Sequence, residues 1–476
     1  MKVIRNYLYN VGYQVLAIIV PLITSAYVAR VLRPEGVGAN AFTNSVIQYF
    51  ILFASMGIGY YGNRQIAYVR ENQQKMANTF WEIQIVKTIM TLIAFIAFEV
   101  FMIFYTKQPE YMWAQSINLV AVAFDISWFY EGIEDFKVTV LKNSFVKIVS
   151  MIAIFIFIKG PNDVTLYIAV LAISTLLGNL TLWPNIRRDL PKVNFKSLNP
   201  WPHFLPMVEL FVPQIAIQVY VQLNRTMLGV MVNETSAGFY QYSDSLVKMT
   251  LALVTATGTV MLPHVANAFS QGDMNKVNKM LYKSFDFVSA MAYPMMFGLA
   301  AISLTLAPKY YGPGYGPVGQ AMFIESIVIL MIGWSNVLGV QYLLPIHKQK
   351  EFTISVTLGA IVNVILNIPL IKVWGLNGAM IATSIAEFSV TLYQLFIVKR
   401  SLSLKDLFHG SWKYFISGLI MFIVVFWMNR NLKDSWLMIG LEVIVGVVIY
   451  GILVLILKAP IVYEARDLIV DKLKNE

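Results

Sequence analysis

Residues 190–206 read LPKVNFKSLNPWPHFLP. Four prolines and two lysines make this the longest clearly polar, Pro-rich stretch in a chain that is otherwise apolar. A bilayer crossing takes about 20 residues of helix. Apolar segments of that kind, broken at charge clusters and Pro/Gly turns, flank the stretch on both sides. Six precede it: 11–29, 37–60, 78–105, 112–130, 145–158 and 164–183. Six follow: 207–232, 237–268, 285–307, 318–346, 352–371 and 376–398. Two more, 411–428 and 436–457, close the chain. The segment 145–158 is short, and Lys142 and Lys147 are expected at its end. The predicted fold class is an all-α polytopic membrane protein with 14 transmembrane helices. Its predicted domains are a six-helix bundle over 1–190, a cytoplasmic linker over 191–206, a second six-helix bundle over 207–400, and two appended helices with a cytoplasmic tail over 401–476.

Composition agrees. Of 476 residues, 58% are hydrophobic and 13% charged, and the mean hydropathy is +0.64. Soluble domains run at about 45–50% apolar and about 25% charged. The chain has too little polar surface for a soluble enzyme, a disordered chain or a nucleic-acid binder. The net charge of +10 follows from topology. With the N-terminus inside, the clusters Arg64/Arg70/Lys75, Lys276/Lys279/Lys283 and Lys399/Arg400/Lys405/Lys413 all fall on the cytoplasmic side, as the positive-inside rule requires. An even count then puts both termini in the cytoplasm, and no nucleic-acid partner is needed. There are no cysteines, which excludes disulfides, thiolate metal sites and a cysteine nucleophile.

Repeats of six spans keep their orientation and form parallel halves about an axis along the membrane normal. Residues 29–47 (ARVLRPEGVGANAFTNSVI) align with 229–247 (GVMVNETSAGFYQYSDSLV) at an ungapped offset of 200, with Gly38/Gly238 and Ser45/Ser245 identical. Two halves enclosing a cleft that opens alternately to each side is a transporter plan.

An ionisable side chain at mid-bilayer costs roughly 2.5–3.5 kcal/mol or more, so each one faces protein or water. Arg225 lies in QIAIQVYVQLNRTMLGVMV (residues 214–232), beside Gln218, Gln222 and Asn224. It either pairs with an acid on another helix or faces a cleft and holds an anionic substrate. Lys87, Lys248, Arg30 and Arg64 complete a set of candidate substrate-binding cations. A guanidinium matches phosphate with a bidentate fork, and an ammonium acts as a point charge. Lys87 follows Glu82 by five residues, about 140° around a helix, so the two need not neutralise each other. Asp244 and Lys248 are spaced i,i+4 on one face, as a local ion pair would be. Asp125, Asp244, Glu325 and Glu387 are candidates for a coupling H+ or Na+, with Asn363 and Asn367 as carbonyl donors or helix-bridging amides. Glu99, Glu209, Asp286 and Glu442 sit near predicted span ends and read as reaching the interface. Tyrosines of KYYGPGYGP (residues 309–317) either stack on sugar rings or form an interfacial aromatic belt. No catalytic residues and no metal site are expected, and no resident cofactor.

The chain resembles the polysaccharide transport family of the multidrug/oligosaccharidyl-lipid/polysaccharide exporter superfamily, the O-antigen and capsule type of repeat-unit flippase. The matching stretches are ARVLRPEGVG (29–38), DISWFYEGIEDFKVTVLKNSFVKI (125–148), QLNRTMLG (222–229) and SNVLGVQYLLPIHKQKEFT (335–353), followed by Asn363, Asn367, Ala386 and Glu387. Asn224 stands where the family pattern has an acidic residue before Arg225. The resemblance implies two six-helix bundles in a V plus two C-terminal helices. It also implies translocation of an undecaprenyl-pyrophosphate-linked oligosaccharide between leaflets by alternating access, driven by a cation gradient. Further implications are a place in the cell membrane of a Gram-positive bacterium and association with polysaccharide polymerase machinery. The physics is compatible: a pyrophosphate needs cavity cations to cross hydrocarbon, and a polyprenyl tail can stay among the membrane lipids.

Two other readings stand beside it. A cation-coupled multidrug exporter would want an acidic, aromatic cavity, against which Lys87, Arg225 and Lys248 argue. A polytopic glycan polymerase or sugar transferase would want a large outer loop with catalytic residues, and the longest outer loop here is short. His203, His264, His347 and His409 all lie at predicted cytoplasmic edges.

Overall fold

The computed structural model describes residues 2–463; the predicted tail beyond residue 463 lies outside the described residues. Every regular element among the described residues is helical. Packing divides the chain into two compact units, Met1–Gly238 and Phe239–Glu476.

The first unit begins with α1 (Lys2–Ser55). Its 54 residues would run about 80 Å as one rod, far more than a bilayer core of about 30 Å. It is broken at Arg33 (φ 60°, ψ 172°), and Pro34 supplies the cause: proline disfavours helical geometry in the residue before it. Next come α2 (Ile58–Val69), α3 (Gln73–Phe104), α4 (Pro109–Phe124), α5 (Ser127–Gly132), α6 (Phe136–Phe157), α7 (Val164–Leu180), α8 (Trp183–Asp189) and α9 (Trp201–Met231). Helix α6 corrects an expectation. It is 22 residues long, and Lys142 and Lys147 lie inside it rather than at its end.

The second unit holds most of α10 (Glu234–Thr255), followed by α11 (Thr257–Ser270), α12 (Met274–Tyr311), α13 (Gly316–Glu325), α14 (Val328–Ser335), a π-helical stretch (Asn336–Leu343), α15 (Gln349–Val398), α16 (Leu404–Leu407), α17 (Ser411–Asn431) and α18 (Trp436–Ile456). The 50-residue α15 is also two helices, broken at Gly375 (φ 55°, ψ −127°), a backbone conformation that only glycine takes without strain.

The burial pattern is that of a protein solvated by hydrocarbon. Ile103 (74% exposed), Phe104 (79%) and Leu437 (76%) project outward, while Gln115, Asn363, Asn367 and Gln394 are almost fully buried. Among the described residues eight helices are long and apolar enough to cross a membrane. A ninth is counted if the bent pair Gly316–Glu325 and Val328–Leu343 makes one crossing. Two of the eight, Leu16–Val69 and Gln349–Val398, contain the breaks at Arg33 and Gly375. Conversely, α4 (16 residues) and α11 (14 residues) are cut short by breaks at Asp125–Ile126 and Ala256.

The repeat positions Gly38 and Gly238 meet. A Cβ on Gly238 would lie 2.8 Å from both Cα and N of Gly38, and one on Gly38 would lie 2.5 Å from the Glu234 carbonyl oxygen. Glycine is required at both because backbone touches backbone.

Candidate functional site

In the first unit, α9 is docked on α1 by a hydroxyl chain. The Tyr49 hydroxyl lies 3.1 Å from Thr226 Oγ1, Thr226 donates to Ser45 Oγ at 3.0 Å, and Ser45 donates to the Phe42 carbonyl at 2.7 Å. One turn on, α9 closes against the same face: a Cβ on Gly229 would lie 2.1 Å from the Phe42 ring. Thr226 therefore faces α1. Arg225, one residue earlier, is turned about 100° away from that contact and is half-buried, with Gln222 and Asn224 buried beside it. The packing fixes which face of α9 carries Arg225.

A second feature is the break between α4 and α5. The last four carbonyls of a helix have no intrahelical partner, and in hydrocarbon each needs one. Here every one is met. Asn179 Nδ2 donates to the Ala121 carbonyl at 2.7 Å, Asp125 N to Val122 at 3.2 Å, Gln84 Nε2 to Ala123 at 2.7 Å, and Trp183 Nε1 to Phe124 at 2.8 Å. The ammonium of Lys87, which is 3% exposed, donates to the Asp125 carbonyl. The Asp125 carboxylate accepts from the Ser127 main-chain N–H at 3.1 Å and the Ser127 hydroxyl at 2.5 Å, and lies 3.5 Å from Lys142 Nζ. Lys142 also donates to Ser127 Oγ at 3.0 Å. The structure thus brings Lys87 and Asp125 together, with Lys142 as a third member. That lysine was expected only as a span end; its place among apolar residues was the available signal.

Near this break, Glu82 is held by the polar linker. It accepts from the Asn199 main-chain N–H at 2.9 Å, and its other oxygen lies 3.0 Å from His203 Nε2. The Tyr61 hydroxyl is 2.7 Å from His203 Nδ1, and the Arg64 guanidinium sits 5.8 Å above the Tyr61 ring. Arg64 is exposed on α2, as is Arg30 on α1. Nothing in the spacing of Glu82 and His203, 121 residues apart, announced this pair.

In the second unit, Asp244 pairs with Lys248 at 2.8 Å, as the i,i+4 spacing suggests. The ammonium end is open, with the Lys248 side chain 52% exposed. Glu325 on α13, 1% exposed, accepts from the Ser243 hydroxyl at 2.6 Å and is hydrogen-bonded to Asp244. Ser243, missed in the sequence, is the hydroxyl donor to the buried Glu325. On α15, Asn367 Nδ2 donates to Asn363 Oδ1 at 2.8 Å, both fully buried, and Glu387 is half-buried beyond the break at Gly375. No group of three or more His, Cys, Asp or Glu with metal-binding geometry occurs among the described residues.

Two groups are more buried than the sequence suggests. Tyr311 and Tyr315 are each 1% exposed. Tyr311 stacks on Tyr242 at 4.2 Å and 5°, and Tyr315 packs against both, so neither ring face is open to a sugar. Glu442, expected to reach the interface, is instead covered by protein. It is 3% exposed and accepts from Asn429 Nδ2 at 2.8 Å.

Comparison with known proteins gives the family and the fold. The chain is 22% identical over 404 residues to the "Putative O-antigen transporter" of Escherichia coli (strain K12), covering 83% of this chain and 97% of that one. It is 24% identical over 161 residues, 33% of this chain and 30% of the relative, to the "Lipid II flippase MurJ" of Bacillus subtilis (strain 168). Its fold matches a solved structure, "Lipid II flippase MurJ, inward closed conformation", with a TM-score of 0.79 at 17% identity, covering 97% of this chain and all of the other. Residues 3–269 match the model of the family described as polysaccharide biosynthesis protein. That match spans more than half of the sequence, and the chain is a member of this family of multi-pass membrane proteins.

Proposed function

We propose that this protein is a flippase that moves undecaprenyl-pyrophosphate-linked oligosaccharide units from the inner to the outer leaflet for cell-surface polysaccharide synthesis. The single observation that carries the reading is Arg225. Its side chain leaves an otherwise apolar stretch of α9 about 100° from the Thr226 contact with α1, and its bidentate fork matches a phosphate. The name of the Escherichia coli relative, aligned over nearly its whole length, supports the same substrate class. In this reading the chain makes fourteen crossings, in bundles over 1–190 and 207–400, with two appended helices over 401–476. Both termini are cytoplasmic, in the plasma membrane of a Gram-positive cell, and the protein works beside a polysaccharide polymerase.

Arg30, Arg64, Lys87, Arg225 and Lys248 supply the positive charge that meets the pyrophosphate, with Arg225 the principal ligand. Alternating access is driven by H+ or Na+ at sites drawn from Asp125, Asp244, Glu325, Glu387, Asn363 and Asn367. The pairing of Lys248 with Asp244 beside buried Glu325 supports a link between anion binding and those acids. The test is Arg225→Ala in cells lacking the chromosomal copy. The variant inserts and folds, complete lipid-linked units accumulate on the inner leaflet, and Arg225→Lys restores part of the flux. Normal transport by the alanine variant refutes the assignment.

A further inference from the structure

The linker over 191–206 is pinned to the first unit along one side. Leu190 and Val193 pack into the cluster that holds Phe80 and Trp81 of α3, and the Phe195 ring meets the Trp81 ring at 5.1 Å. The Asn199 N–H and His203 both reach Glu82 of α3, and His203 also reaches Tyr61 of α2. These contacts fix the depth of the linker. Phe104, 79% exposed, ends α3, and Glu82 lies 22 residues before it, about 33 Å along the helix. A hydrocarbon core is about 30 Å thick. With Phe104 at one boundary of that core, Glu82 and the linker bound to it stand at the other. The opposite side of the linker is exposed. Trp201, Phe204 and Leu205 are spaced i,i+3,i+4 and share a face in the opening turns of α9; they are 65%, 37% and 65% exposed. Phe195 is 58% exposed. Lys192 and Lys196 are exposed among them.

We propose that the linker and the first turn of α9 lie on the membrane rather than free in the cytoplasm, with Phe195, Trp201, Phe204 and Leu205 set into the boundary between lipid headgroups and acyl chains. Facing water, these four side chains would make a contiguous apolar patch of the kind that marks an interaction surface. At the headgroup level an aromatic and aliphatic face is favoured, and the two lysines reach the phosphate layer beside it. The contacts to Glu82, Tyr61 and Trp81 hold the face at that level and turn it outward. The polar, Pro-rich sequence of the linker hides this, because its apolar residues are few and become one surface only when the chain is folded against α3. The proposal rests on the chain spanning a bilayer and not on what it carries, so it stands or falls independently of the transport reading.

The chain contains no cysteine, so a single introduced cysteine reports one site. Trp201→Cys, Leu205→Cys and Lys196→Cys, all at exposed positions, are each labelled with a nitroxide in the full chain. The protein is reconstituted into vesicles of phosphatidylcholine and phosphatidylglycerol. Oxygen concentrates in hydrocarbon and a neutral nickel chelate in water, so the ratio of their collision rates with the label, read by electron paramagnetic resonance, measures depth. Ile103→Cys, on the apolar outer end of α3 and 74% exposed, shows by its high oxygen ratio that each preparation is inserted and folded. The oxygen-to-nickel ratio is expected to be several-fold higher at 201 and 205 than at 196. A ratio at 201 and 205 as low as at 196 places the linker in water and overturns the proposal. Labels at 201 and 205 shielded from both reagents also overturn it, since the face is then covered by a second copy of the chain.

Discussion

Replacing Lys87 by methionine keeps the length and apolar stem of the side chain and removes its ammonium. In the native fold that ammonium caps the Asp125 carbonyl at the α4–α5 break and is a cation beside the Asp125 carboxylate. Its loss removes one hydrogen bond from a charged donor, worth about 1.5–3 kcal/mol. It also leaves the carboxylate with Ser127 and with Lys142 at 3.5 Å. The carbonyl is left without that donor at membrane depth, where water cannot replace it. We expect the first unit to lose about 2–4 kcal/mol. For a domain of about 150–250 residues each kcal/mol shifts the melting temperature by about 2–4 °C, so the expected fall is about 4–16 °C. The assay is heating of detergent-solubilised protein followed by size-exclusion chromatography. Asp125→Asn added to Lys87→Met restores part of the loss, because the side chain left behind no longer carries a charge. Wild-type melting for Lys87→Met would refute the capping role and leave Lys87 with its substrate role alone.

Three further outcomes follow. Gly238→Ala forces a Cβ to within 2.8 Å of the Gly38 backbone and destabilises by about 1–3 kcal/mol as an overpacked contact, read in the same melting assay; an unchanged melting point would show that the two segments separate freely. Glu325→Gln retains an acceptor for Ser243 and removes the titratable group, so transport loses its dependence on pH while the protein still inserts; an unaltered pH profile in vesicles removes Glu325 from the coupling set. In the 159–163 loop, the Lys159 and Gly160 N–H groups, each 2.8 Å from Asp163 Oδ2, hold its carboxyl below the ordinary 3.8. The stabilisation is therefore present above about pH 4 and lost as pH falls through the folded value. Carboxyl NMR of labelled protein reads this, and a midpoint at or above 3.8 would contradict it.

Much of the architecture was legible in the amino acids because hydrocarbon acts on each segment separately. An apolar run of sufficient length must be a helix wherever it lies, since a helix satisfies its own backbone. Pro34 after Arg33, and Gly375, mark breaks by local dihedral preference alone. The Asp244–Lys248 and Asn363–Asn367 contacts were equally visible, because i,i+4 neighbours meet on any helix. Only the tertiary structure decided the rest. Lys87 and Asp125 are 38 residues apart, Glu82 and His203 are 121, and Ser243 and Glu325 are 82. Asn179, Gln84 and Trp183 converge on one broken helix end from three different segments. Which buried polar group answers which is settled by how helices pack, and at membrane depth an unanswered donor or carbonyl has no water to turn to. The sequence therefore declares which groups need partners, and the packing alone names them.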